Sequence, residues 1–300
     1  MPRLAGSKMR HLTPLQGIDM HRFGIHAIVV FLACSLAGCS LLYSYSNIDR
    51  YIRWSLDDYI AWDSTQESQL RAHLDSQLEW HQKTQLPRYR EWLQTIDRTL
   101  DNDVDATQLA TAADQLQSFW QDAAIHFQAD ICAQLASLSD HQVRDLIAVM
   151  HEKQTDLKNE YDDMTLSDLI KKRKREMAKT IKYWLGALDK DQIALIDAWA
   201  QSLPDGRSHW LNNRARWTDA FEQALQHRHE PDLFATEIHL LFVTPEETWG
   251  EEFRELSQRN RESTLQLLAD VHNLRTQRQR DAERKRIAQW LGNIDKLAME

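Results

Sequence analysis

The residue in this sequence with the plainest reaction open to it is Cys39. A thiol is a strong nucleophile once deprotonated, and Ala37 and Gly38 before it leave room for an approaching enzyme. Upstream, residues 25–36 are apolar except His26 and Ser35, and Arg22 precedes them. That run falls short of the roughly 20 residues a spanning helix needs, but it has the length of a signal-peptide core. A second group is Asp57-Asp58, His81 and Arg88. Neighbouring carboxylates could work as an acid–base pair, yet adjacent helix positions point about 100° apart and do not face one site. We expect Asp57, Asp58, His81 and Arg88 to form a polar cluster between the first helices, structural in character. His227-Arg228-His229-Glu230 holds metal-ligand types but no third ligand is evident, so no metal is expected. No phosphate loop, Gly-x-Ser-x-Gly, His-Glu-x-x-His or paired-cysteine motif occurs. Neither a catalytic residue nor a cofactor is predicted.

Lys171-Lys172-Arg173-Lys174-Arg175, with Lys179 and Lys182, is the strongest basic patch. It reads either as a solvated helix face partnered by Asp162, Asp163 and Asp168, or as a contact for anionic material such as lipid phosphates. A second basic stretch runs from Arg275 to Arg286, interrupted by Asp281 and Glu283. Neither makes the chain basic. Removing residues 1–38 leaves 32 basic against 44 acidic residues, a net charge of −12. Such a balance argues against a general binder of nucleic acid or of anionic lipid. Of the three cysteines, Cys34 lies in the apolar run and Cys39 follows it, so Cys132 is left without a disulfide partner and is expected to be a small buried apolar residue.

These residues must be carried by helices. The 300 residues hold only 8 glycines and 6 prolines, too few for the tight turns of a sheet protein. Apolar residues recur at three- and four-residue spacing. Ile48, Tyr51, Ile52, Leu56, Tyr59 and Ile60 form one stripe over 48–60, with Asn47 as its cap. Further helices are predicted from Ser64, from Pro87, over 105–135, from Ser139, and over 166–188, 190–203, 208–228 and 232–242. Thr244-Pro245-Glu246-Glu247 has the form of a capping box opening the next helix, and the last spans 278–298. Asp101-Asn102-Asp103 and Leu203-Pro204-Asp205-Gly206 read as turns between helices, and no linker divides the chain. The fold class is all-α: ten to twelve amphipathic helices in one multi-helix bundle over 47–300, without a sheet. Trp-Leu-x-x-(Ile/Leu)-Asp-(Lys/Arg) recurs at 92–98, 184–190 and 290–296, either a triplicated helical unit or convergent helix ends. Tryptophan and the aliphatic residue four later share a face, so each copy can serve as a docking edge.

Three resemblances add to this reading. Leu36-Ala37-Gly38-Cys39 resembles the lipobox of bacterial lipoproteins. That resemblance implies a signal peptide over 1–38, diacylglycerol on the Cys39 sulfur, acylation of the freed amine, and a lipidated tether over 39–46. Met20-His21-Arg22 would make an ordinary leader start, with Met1 the alternative. Ser40, where aspartate would imply retention in the inner membrane, points to the periplasmic face of the outer membrane. Arg53-Trp54-Ser55-Leu56-Asp57-Asp58-Tyr59, Trp80-His81, Leu86-Pro87-Arg88-Tyr89, Trp184-Leu185-Gly186 and Trp210-Leu211-Asn212-Asn213-Arg214 look like a domain-of-unknown-function family of proteobacterial lipoproteins. Leu138-Ser139-Asp140-His141-Gln142 and Leu188-Asp189-Lys190-Asp191-Gln192, with the shorter Asp63-Ser64-Thr65-Gln66, are similar to the Leu-Thr-x-x-Gln boxes of Spy and CpxP-type periplasmic chaperones, though neither full copy has threonine second. Ordinary helix capping explains the same residues. The expected function is that of a non-enzymatic interaction, scaffolding or chaperone-like envelope protein, held on the membrane by acyl chains and partnered by another envelope protein. The alternative is a binder of a small or glycan ligand in an aromatic-lined groove. An enzyme with an unrecognised site ranks third.

Overall fold

The computed structural model describes residues 45 and 47–298. Cys39, the lipobox residues Leu36, Ala37 and Gly38, and the leader therefore lie outside the described residues. Among those described, eleven α-helices and no strand occur. They are α1 (Ile48–Asp57), α2 (Ser64–Trp80), α3 (Leu86–Thr99), α4 (Ala106–Ala136), α5 (Asp140–Asp162), α6 (Leu166–Leu185), α7 (Lys190–Ser202), α8 (Arg207–Gln226), α9 (Pro231–Phe242), α10 (Glu251–Asn273) and α11 (Gln277–Leu297). The all-α bundle is as the composition implied.

Helix starts are set by short polar side chains. Asp63, Asp105, Ser139, Asp189 and Thr276 each accept a hydrogen bond from the backbone three residues on, and Gln66, Gln108, Gln142, Gln192 and Gln279 reach back to the cap backbone. Each box satisfies two donors that a helix start leaves orphaned. Thr165 caps α6. Three sequence expectations need correction. Helix α1 stops at Asp57 and leaves Tyr59 and Ile60 beyond its end, and Asn47 makes no side-chain cap hydrogen bond. The Thr244 box does not open α10: Thr244 makes no side-chain cap hydrogen bond, and Pro245–Thr248 closes a single 3-10 turn. Trp249 is then extended, and α10 begins after Gly250, against which the Arg216 guanidinium lies so closely that a Cβ would come within 2.5 Å of it. Pro87 stands in the first turn of α3, as expected, but no break separates α3 from the helix before it. Helix α2 runs into α3 through a π turn, His81–Gln85, with the Leu86 N–H bonded to the His81 carbonyl. Proline has no N–H to give the carbonyl four residues back, and one wide turn accommodates the missing bond without breaking the helix.

Three apolar cores follow from the packing. Val143, Leu146, Phe221, Leu225, Phe234 and Ile238 join α5, α8 and α9. Met177, Ile181, Ile196, Leu267 and Val271 join α6, α7 and α10. Leu86, Leu93, Trp290, Ile294 and Leu297 join α3 to α11. Burying a side chain such as Ile196 or Leu225 completely contributes about 1.5–3 kcal/mol. Helix α4 has 31 residues, hence about 46 Å of length, and packs against α2, α9 and α10. No described helix is long and apolar enough to cross a membrane.

Candidate functional site

The residues expected to form one polar cluster are divided among several contacts. His81, at the π turn, sits between two phenols: its Nδ1 lies 2.8 Å from the Tyr45 hydroxyl and its Nε2 3.2 Å from that of Tyr89. Burial pushes the imidazole down to about 4, so it is neutral at pH 7, with one ring nitrogen accepting and the other donating. Burial also raises Tyr89 to about 12. Arg88 faces another way, pairing with Asp122 at 2.6 Å and lying over the Phe119 ring. Asp58 pairs with Lys153 of α5 at 3.8 Å, and Asp57 is the exposed last residue of α1. The cluster fails because α1 ends before Asp58 and the chain turns toward α5. Sequence spacing alone could not show that Tyr45 would be the partner of His81.

The Lys171–Arg175 run resolves into pairs. Lys171 faces Asp168 at 3.5 Å, Lys172 faces Glu160 at 3.5 Å, Lys174 pairs with Asp197, and Arg175 faces Glu176 at 3.0 Å. Arg173 donates to the carbonyls of Leu203 and Pro204, tying α6 to the turn before α8. Near the proposed ligand types at 227–230, His227 bonds Glu237 at 3.0 Å. Arg228 is buried, donates to the Leu138 and Leu225 carbonyls and pairs with Asp140. Among the described residues no group of three His, Cys, Asp or Glu side chains could hold a metal ion. Cys132 is half-buried against the first core, and burial pushes its thiol up, away from the reactive thiolate.

Four of the five capping glutamines meet in pairs. The Gln142 amide donates to Gln66 Oε1 at 2.7 Å and to the Ala61 carbonyl at 2.8 Å, while Gln66 donates to the Ser137 carbonyl at 2.8 Å. Gln279 donates to Gln192 Oε1 at 2.8 Å and to the Ala187 carbonyl at 2.8 Å. Each pair locks two helix starts together, α2 with α5 and α7 with α11. Gln192 is wholly buried, where an unmade hydrogen bond would cost about 1–3 kcal/mol. The two chaperone-like boxes at 138–142 and 188–192 therefore belong to different junctions.

The three Trp-Leu recurrences converge. Trp92, Trp184 and Trp290 all pack in the α3–α11 core, with Trp184 and Trp290 stacked 6.3 Å apart. Trp290 donates its indole N–H to the Tyr183 hydroxyl, and Arg90 pairs with Asp295 of the third copy at 2.6 Å. Beside this core lies a groove of about 210 Å³ among α3, α4, α6, α10 and α11. Trp92, Leu109, Leu116, Ile181, Trp184 and Leu268 line it. One end is polar. Arg275, 5% exposed, donates to the Leu100 and His272 carbonyls at 2.7 Å each and pairs with Glu283. Burial raises the Glu283 carboxyl, opposed by the Arg275 charge, and burial lowers His272 to about 4. Aromatic side chains, an apolar wall and convergent polar groups meet in this groove, the combination expected of a binding site. The recurrent tryptophans gave its position; Leu109, Leu116 and Leu268 carried no signal beyond helical periodicity.

A model of a family of unknown function, DUF6279, matches residues 58–254. No curated protein and no solved structure matches the chain significantly.

Proposed function

The chain belongs to the DUF6279 family of unknown function, and from that premise we propose that it is a lipid-anchored envelope protein that holds apolar segments of other proteins in the α3–α4–α6–α10–α11 groove. The observation that carries this is the groove wall: six large apolar or aromatic side chains from four of the five helices, closed at one end by the Arg275–Glu283 pair. Apolar surface in an open groove gains free energy when covered, at about 25 cal/mol per Å². The fixed polar end gives orientation rather than bulk affinity. No step of chemistry is assigned, so the reading is that of a chaperone-like holder. The anchor rests on Leu36-Ala37-Gly38-Cys39. Two acyl attachments hold a protein far more firmly than one, and Cys39→Ala should abolish labelling by radioactive palmitate.

The function is tested with the full chain in uncharged detergent and a chemically unfolded client followed by light scattering. The protein should delay aggregation. Ala113→Trp fills the groove from α4, and Leu109→Gln makes its wall polar while replacing a half-buried residue. Both variants should lose most of the delay and keep the helical circular-dichroism spectrum. Undiminished protection by two folded variants, or no protection by the parent protein, would sink the reading.

A further inference from the structure

A second cavity lies between α6 and α11. It has about 230 Å³ and shares only Trp184 with the apolar groove. Lys182, Lys285 and Arg286 line it, together with Tyr183, Trp184 and Gln289. No lining residue is acidic. That contrast is the informative point. The chain has 45 acidic residues against 36 basic ones, and four of the five cations at 171–175 are paired with carboxylates. Among the described residues, none of Lys182, Lys285 and Arg286 lies within ion-pair distance of a carboxylate. The nearest acid in sequence, Glu283, is committed to Arg275 on the other side of α11. Lys182 sits in the last turn of α6, where the helix dipole favours a cation. No such effect supports Lys285 and Arg286 in the middle of α11.

Arg286 is also positioned, while Lys182 and Lys285 are exposed on the two helices that form the cavity. Arg286 lies 4.2 Å over the Tyr183 ring and donates to Gln289 at 3.1 Å, so its guanidinium is held in the cavity wall. Tyr183 is itself fixed by the Trp290 indole N–H. Gly186, with φ +80, ends α6 beside the cavity, and no atom lies within 4 Å of where a Cβ would stand. Trp184 keeps its indole Nε1 buried without a hydrogen-bond partner. Convergent cations facing one opening repel one another, and an anion of matching size removes that cost. Arginine offers phosphate two parallel donors, and lysine offers a point charge. We infer that the α6–α11 cavity binds a phosphate group through Lys182, Lys285 and Arg286. The site uses the two basic stretches of the sequence, but through residues at their ends that the packing of α6 on α11 brings together, not through 171–175.

The phosphate can belong to a lipid headgroup or to a soluble ion, and calorimetry on the full chain in uncharged detergent separates them. One titration uses inorganic phosphate and the other dihexanoylphosphatidylglycerol, a lipid short enough to stay monomeric. At least one should bind saturably. Heat from the lipid alone assigns the headgroup, and equal binding of both assigns the phosphate moiety itself. Lys285→Gln and Arg286→Gln should each weaken binding at least about tenfold, the loss of one charge-assisted hydrogen bond. Lys172→Gln, in the paired run, should leave it unchanged. The inference is overturned if neither probe saturates, if Arg286→Gln binds as the parent does, or if Lys172→Gln weakens binding equally, since that would be diffuse attraction. Because the cavity is not the apolar groove, Ala113→Trp should bind phosphate normally whatever it does to client holding.

Discussion

His81 shows how one residue's role depends on the atoms around it. Its ring is enclosed by Tyr45 and Tyr89, and burial takes it from 6.5 to about 4. Between those values the unfolded chain binds a proton that the folded one refuses. Its contribution to stability is therefore complete above about pH 6.5 and is lost as pH falls toward 4. His272 acts with the same sign, and Glu283, raised by burial, acts with the opposite one. Asp205, held low first by its hydrogen bond to Arg207, titrates below this window. Urea midpoints measured at pH 7 and pH 5 should thus differ in the parent protein, and His81→Gln should shrink the difference. An unchanged difference would mean that His81 is charged in the fold. The sequence singled out His81 only as a member of a polar cluster with Asp57, Asp58 and Arg88. It could not supply Tyr45, since contacts 36 residues apart leave no periodic trace.

At the scale of the element, local chemistry was the better guide. Every capping box with glutamine at its third helical position opens a helix where side chain and backbone need only each other. Local reading failed where a longer-range demand intervened, at Thr244, where Arg216 lies against Gly250 and α10 starts only after it. Two glycines state the difference between a terminus and an interior. Gly186 stops α6 at φ +80 and ψ −140, a conformation nearly reserved for glycine that costs other residues about 1–3 kcal/mol. Gly292 lies inside α11 with an open space at its Cβ position. We expect Gly186→Ala to destabilise by about 1–3 kcal/mol, and Gly292→Ala to stabilise by up to about 1 kcal/mol. Thermal unfolding of the two variants checks both signs.

At the scale of the whole molecule, helices far apart in sequence complete each other. The family match ends at 254, within α10, yet α11 closes on α3 through Leu93, Trp290, Ile294 and Leu297 and forms one wall of both cavities. The three tryptophan copies, separated by about a hundred residues, turn out to be docking edges for one another. Trp290 is 6% exposed and hydrogen-bonded to Tyr183, so Trp290→Ala should cost about 3–5 kcal/mol of unfolding free energy in urea. Trp54, 59% exposed, should tolerate alanine within about 0.5 kcal/mol. Equal effects at the two positions would contradict the packing described.

Composition, periodicity and caps by themselves determined the helical class and most helix starts. These are short-range properties: a helix bonds its own backbone, and a cap its own first turn. The expected polar cluster was also a local reading, and it dissolved because Asp58 and Arg88 found partners on other helices, whereas the basic run kept partners on its own helix at Lys171 and Arg175 and gained others across helices at Lys172 and Lys174. Only the tertiary structure decided that the tryptophans meet, that glutamine boxes pair across helices, and that Lys182 shares a cavity with Lys285 and Arg286. Those facts depend on which helix face packs against which, and that is chosen by the summed burial of the three cores rather than by any one segment.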